Sequence, residues 1–353
     1  MKKSEEQALR RKTGDLNTLC GWKDYTFNDG PARGVRGFDL KNGRGIEMTV
    51  LADRGLDIPY LTYKGRQMAF ASKTGIKSPS LYQEEGVRGF LRQFYAGLLT
   101  TCGISYAGAP CEDNSEKLGL HGPVSNTPAG RVGAEVTYQG DEAVIQLKGE
   151  IRESRVFGEN LVIKRALRLH TETDSLVIED TVENQGFVKS PLMLVYHINF
   201  GYPMLDDGAK VYTSAKEVMP LDENARNGFS RCHLMEEPGD ERPEECYFHT
   251  VQPEDAFAML HNEGLGIAAV IRFDGKAFPL LCEWKCLRAG DYALGLEPTV
   301  SGVLNRNIAR ESGMLQTLEP GESRTFTLRL EFLDDKKAIG QYIKRAGVTH
   351  FGE

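Results

Sequence analysis

The sequence predicts an all-β protein, a large antiparallel sandwich. Three observations carry this: apolar side chains alternate with period 2, turn residues bound the alternating runs, and helical spacing is rare. From the N-terminus, residues 5–12 predict one short helix. Ala143, Ile145, Leu147 and Ile151 then fall on odd positions, with Gln146, Lys148 and Glu150 between them. Leu161, Ile163, Leu167 and Leu169 repeat the pattern, as do Leu176, Ile178 and Val182, and later Phe326, Leu328, Leu330 and Phe332. Such runs are half-buried antiparallel strands with one wet face. Gln139-Gly140-Asp141, His170 to Asp174, Asn184-Gln185-Gly186 and Glu319-Pro320-Gly321 supply the turns. Residues 222–247, acidic and holding Pro238, Gly239 and Pro243, form a long polar excursion, either a loop over a site or a surface insertion. Ile339, Tyr342 and Ile343 at helical spacing predict a terminal helix over 334–345. No linker or repeat divides the chain, so one β-domain is expected over 1–353, its core spanning about 20–333.

Composition narrows the function classes. The chain has 353 residues, 40% of them hydrophobic, and a formal net charge of −7, which argues against a nucleic-acid partner. No apolar run approaches membrane-spanning length, and no apolar segment follows the basic N-terminus, so neither a membrane nor a signal peptide is expected. Seven cysteines, at 20, 102, 111, 232, 246, 282 and 286, form no Cys-x-x-Cys pair. That fits a reduced, cytoplasmic protein whose cysteines pack in the core. Walker A, G-x-G-x-x-G and G-x-S-x-G motifs are absent.

Three segments place proton-handling groups beside turns or in strands: Leu120-His121-Gly122, Val195-Tyr196-His197-Ile198-Asn199 and Gly295-Leu296-Glu297-Pro298. Two imidazoles and a carboxylate can move protons on and off sugar oxygens near neutral pH. His121 lies in a loop of Gly, Pro, Ser and Asn, where it either presents its ring to a ligand or rests on the surface. His197 lies in a buried strand and needs a partner or a cavity; Asn199 shares its face. Glu297 ends a strand, as a site carboxylate or a solvated acid. Trp284 offers an indole to stack on a sugar ring, or a core side chain. Arg88 and Arg92, in an aromatic, Gly-rich stretch, and Arg54 can grip hydroxyls or a carboxylate, or form ion pairs with Glu85 and Asp53. A metal bound by the two histidines and Glu297 lacks the short ligand spacing such sites commonly show, so no metal is expected.

The strings RQFYAGLLTTCG, LHGPVSNTPAG, VYHINFGYP and LGLEPTVSG resemble the aldose 1-epimerase (galactose mutarotase) superfamily. More closely they resemble its divergent bacterial aldose-1-epimerase-like branch. The resemblance runs from about residue 88 to 302. It implies a β-supersandwich with a cleft across one large twisted sheet, a small-molecule sugar as substrate and no cofactor. Edge strands of a large sheet can pair two subunits, so a monomer or homodimer is expected. The resemblance makes Glu297 the general base and His197 the general acid, on opposite sides of the anomeric centre, and has His121 and Arg92 grip the sugar. Arg88, Arg54, Asn199, Trp284 and Lys285 are the further expected contacts. Trp284-Lys285 stands outside the family's pattern, and a lysine there would favour an acidic sugar or a ketose. Two other functions fit the same residues: a non-catalytic carbohydrate-binding or sensing protein, and a metal-dependent epimerase acting at another carbon.

Overall fold

Two large antiparallel sheets face each other in the computed structural model, which describes residues 1–347. The alternating runs build the eight-stranded sheet. Its order is Gly130–Gln139, Glu142–Ser154, Asn160–His170, Ser175–Asn184, Ser323–Leu333, Ile267–Phe273, Ala256–Asn262 and Lys210–Thr213. The residues read as apolar faces, among them Ile145, Leu147, Ile163, Leu167, Ile178, Leu328 and Leu330, are buried toward the other sheet. Each such side chain contributes roughly 1.5–3 kcal/mol, which fixes the register because a one-residue slip would expose the whole row.

The second sheet has eleven strands and carries His197, Trp284 and Glu297. Its central path runs Asp57–Tyr63, Leu99–Cys102, Val195–Phe200, Asp291–Thr299, Leu280–Arg288, Glu245–Val251 and Ala215–Pro220, with Gly21–Thr26, Arg36–Lys41 and Ile46–Leu51 completing the Asp57 side. One core cluster holds residues from both sheets, from Cys20 to Phe332.

Arg165 departs from the alternation. It shares the inward face with Ile163 and Leu167, and its side chain is fully enclosed between the sheets. Its guanidinium grips both Asp180 oxygens (2.9 and 2.6 Å) and reaches Asp57 at 3.0 Å and Thr101 at 2.9 Å. Tyr196 donates to Asp180 at 2.7 Å. A buried arginine is tolerated because every contact is a charge-assisted or polar hydrogen bond. Two members of this network, Thr101 and Tyr196, are the neighbours of Thr100 and His197, so it ties the back sheet to the strands bearing the candidate site.

The helices are minor. The N-terminal one covers only Glu6–Arg10. The C-terminal one spans Lys336–Arg345, is capped by Asp335 and packs Ile339 against Phe257, Met259 and Val270. The 222–247 excursion is structured: Asp222 caps a helix over Glu223–Gly228, a 3-10 turn covers Phe229–Arg231, and Glu245 opens a strand. No helix among the described residues is long and apolar enough to cross a membrane.

Candidate active site

The pairing of Val195–Phe200 with Asp291–Thr299 sets Val195 against Thr299 and Ile198 against Leu296. The same register puts His197 directly opposite Glu297. Their side chains leave the sheet on one face, Nε2 of His197 standing 3.2 Å from Oε1 of Glu297. The pair is in contact but misaligned for a hydrogen bond, since Glu297 Oε1 has no bonded partner. Thr100 flanks His197 on the next strand and Cys282 flanks Glu297. His197 and Glu297 thus stand side by side in one row, where the resemblance implies groups on opposite sides of the anomeric centre.

His121 arrives from a loop. Its backbone is left-handed (φ +61°) and is followed by Gly122 at φ +74°, where a Cβ would stand 2.3 Å from the Tyr106 carbonyl. Only glycine fits there. The His121 peptide is held at both ends, donating to Gly108 and accepting from Gly103, and its ring centroid lies 5.8 Å from that of His197. Asn199, fully buried, donates to the carbonyls of Gly97 (3.2 Å) and His197 (3.0 Å). Trp284 stands 5.5 Å from the His197 ring and donates its indole N–H to Glu244 at 2.8 Å.

A cover of aromatic rings encloses this group. Phe90, on the short helix Val87–Leu91, stacks on Phe94 at 5.1 Å and lies 5.0 Å from His121; Phe94 lies 5.2 Å from His197. Nδ1 of His121, Nδ1 of His197, Oδ1 of Asn199 and Oε1 of Glu297 are all shielded from solvent without a partner. Buried polar atoms are nearly always satisfied, so four orphans on neighbouring side chains mark a candidate ligand site. Enclosure also sets the charges. Burial pushes the Glu297 carboxyl up to about 8 and the His197 and His121 imidazoles down to about 3 and about 4. The free site at neutral pH therefore holds one proton, on Glu297, and both histidines are neutral.

Beside Trp284 opens a cleft of about 500 Å³ lined by Phe70, Phe94, Cys286 and Arg288, and by Arg242 and Glu244 from the excursion. The structure gathers His121, His197, Asn199, Trp284 and Glu297. It does not bring in the others. Arg54 is enclosed, its guanidinium donating to the carbonyls of Ser125 (2.5 Å), Lys77 (2.9 Å) and Gln93 (3.0 Å); it clamps the Phe94 segment to the His121 loop. Arg88 and Arg92 are exposed and lean on Glu85, at 4.0 and 2.9 Å. Lys285 follows Trp284 and so points to the other face, where it donates to the Arg231 carbonyl at 2.8 Å and lies 3.7 Å from Glu245. Phe90, Phe94, Glu244 and Arg288 were not anticipated. The aromatic, Gly-rich setting of the first two was the available signal. Among the described residues no three His, Cys, Asp or Glu side chains are grouped to hold a metal ion.

Comparison with known proteins agrees with this architecture. Residues 32–332 match the family described as a domain of unknown function, DUF4432, and the chain belongs to that family. No curated protein matches. Among solved structures, a "putative aldose 1-epimerase" from Klebsiella pneumoniae superposes with a TM-score of 0.87 at 23% identity, covering 95% of this chain and 91% of that one. A galactose mutarotase-like protein from Clostridium acetobutylicum gives 0.63 at 15% identity, over 90% and 100%. Galactose 1-epimerase from Lactobacillus acidophilus gives 0.57 at 14%, over 89% and 99%. At these identities the likeness establishes the fold, which is galactose mutarotase-like, a β-supersandwich.

Proposed function

We propose that this member of the DUF4432 family is a sugar mutarotase, an aldose 1-epimerase-like enzyme in which Glu297 and His197 open and reclose a pyranose ring. The observation that carries it is the direct cross-strand pairing of the two groups, 3.2 Å apart, beneath an aromatic cover that leaves their polar atoms unpartnered. Ring opening exchanges protons at two oxygens bonded to the same carbon, so acid and base must reach them from adjacent positions. A paired row on one sheet face provides that.

The reaction runs with Glu297 as carboxylate and His197 as imidazolium. This form holds the same titratable proton as the resting site, on His197 instead of Glu297, with no change in total charge. Glu297 takes the proton of the anomeric hydroxyl while His197 gives its proton to the ring oxygen; the C1–O bond of the ring breaks and the aldehyde forms. Rotation about C1–C2 and reclosure return both protons and present the other anomer. His121 and Asn199, each with a shielded unpaired atom, supply contacts to sugar hydroxyls, and Trp284 supplies a face for the ring.

The test is saturation transfer between α and β anomeric signals across aldoses, ketoses and uronic acids. Accelerated exchange that is lost in Glu297→Gln is the expected result. Sugar binding without any exchange would instead assign a binding or sensing role, and appearance of a different sugar would move the chemistry to another carbon.

A further inference from the structure

Every second side chain of the strand Leu280–Arg288 shares the face of Glu297: Cys282 opposite Glu297, Trp284 opposite Gly295, Cys286 opposite Ala293 and Arg288 opposite Asp291. The last three of the row line the cleft. The row begins at the dyad and ends at an arginine. Six residues of strand separate its ends, about 20 Å of backbone, and two features shorten the gap. The Glu297 carboxyl leans over Gly295 toward Trp284, and an arginine side chain is long. A sugar placed with C1 at the dyad and its ring beside Trp284 therefore directs its far end toward Cys286 and Arg288.

The charges along this row are mixed, with cations in excess at its far end, where Asp291 also lines the cleft. Near Trp284 the cleft carries Glu244, whose carboxylate accepts the indole N–H. At the far end stand three cations, Lys73, Arg242 and Arg288. Two of these are paired internally, Lys73 with Asp291 at 2.7 Å and Arg242 with Glu236 at 2.5 Å. Arg288 gives only its Nε–H, at 3.3 Å, to the Arg242 carbonyl, and among the described residues no carboxylate pairs with its guanidinium. The two terminal nitrogens form the fork that matches a carboxylate or phosphate.

We propose that the cleft takes a sugar whose end remote from C1 carries an anionic group, held by the Arg288 guanidinium. The proposal rests on the mutarotase reading only for which end of the sugar meets the dyad. It also moves the preference for an acidic sugar from Lys285, which faces away, to a residue of the cleft face.

Titration calorimetry on the full chain tests it with four classes of ligand: neutral aldoses, their 6-phosphates, uronic acids, and disaccharides ending in a uronic acid. The expected result is roughly tenfold or tighter binding of at least one anionic class over its neutral counterpart, the size of one charge-assisted contact. That preference collapses in Arg288→Gln, is partly kept in Arg288→Lys, and weakens with added salt. The arm that binds best identifies phosphate or carboxylate as the group. Equal affinity for neutral and anionic sugars, no binding of any anionic sugar, or an anionic preference that survives Arg288→Gln overturns the proposal. Inorganic phosphate binding as tightly as a sugar phosphate overturns it too. Anomeric exchange on the same sugars separates the two proposals. Exchange of neutral aldoses without anionic preference sinks this one alone, and anionic preference without exchange sinks the mutarotase reading alone.

Discussion

The carboxyl of Glu297 occupies the space above Gly295: a Cβ on Gly295 would stand 2.5 Å from Glu297 Oε1 and 3.2 Å from the Trp284 Cβ. A glycine inside a strand costs roughly 0.5–1 kcal/mol relative to alanine. Here it lets the carboxyl lean along the strand instead of standing upright. Gly295→Ala is expected to cut anomeric exchange tenfold or more while lowering stability by no more than about 1–3 kcal/mol of overpacking. Parallel measurement of kcat and urea midpoint checks it, and an unchanged kcat would mean the carboxyl works equally well from another position.

The shifted acid–base groups predict a pH profile. Burial raises Glu297 to about 8 and lowers His197 to about 3, so the pair holds one proton between those limits and turnover declines above about pH 8. The same shift has a stability sign. Between the ordinary carboxylate value of 4.5 and about 8, Glu297 holds a proton in the folded state that the unfolded state has lost, while the lowered His121 and His197 act in the opposite sense below about 6.5. The Glu297 contribution to stability therefore falls as pH rises, by on the order of 1 kcal/mol per pH unit. Glu297→Gln removes this dependence. The variant is expected to gain stability over the wild type as pH rises from 5 to 8, as denaturant unfolding at the two pH values would show.

We attribute part of that desolvation to the aromatic rings of Phe90 and Phe94. Phe94→Ala opens a path for water to the dyad, and the Glu297 carboxyl is expected to drop back toward its ordinary range. The alkaline limb of the kcat/KM profile then moves to lower pH. A limb that stays in place would assign the burial to the surrounding strands instead.

The Arg165 network makes a prediction far from the cleft. Arg165→Met leaves Asp57 and Asp180 enclosed without their cation, and loss of one partner from a buried ion network costs about 3–5 kcal/mol. Adding Asp180→Asn removes one of the stranded charges, so the double variant is expected to lose less than the sum of the single ones. Urea unfolding of the four proteins in the cycle measures the coupling, and strict additivity would show that the two residues do not act together.

The sequence by itself determined the β class and the back sheet. Runs such as Leu161 to Leu169 and Phe326 to Phe332 bury one face, and period 2 is a local property that needs no knowledge of the partner strand. It also named His121, His197, Asn199, Trp284 and Glu297, because polar groups in apolar or Gly-rich strings stand out wherever the chain folds. The tertiary structure decided what those groups face. Cross-strand register, invisible along the chain, set His197 against Glu297. Strand alternation sent Lys285 to the opposite face from Trp284 and put Arg288 in the cleft. Arg54, an exposed binding group by its chemistry, became a clamp because three loop carbonyls converge on it. The excursion at 222–247 joined the site because its two ends are tied to strands flanking the cleft. Each of these rests on contacts between residues distant in the chain, which local pattern does not encode.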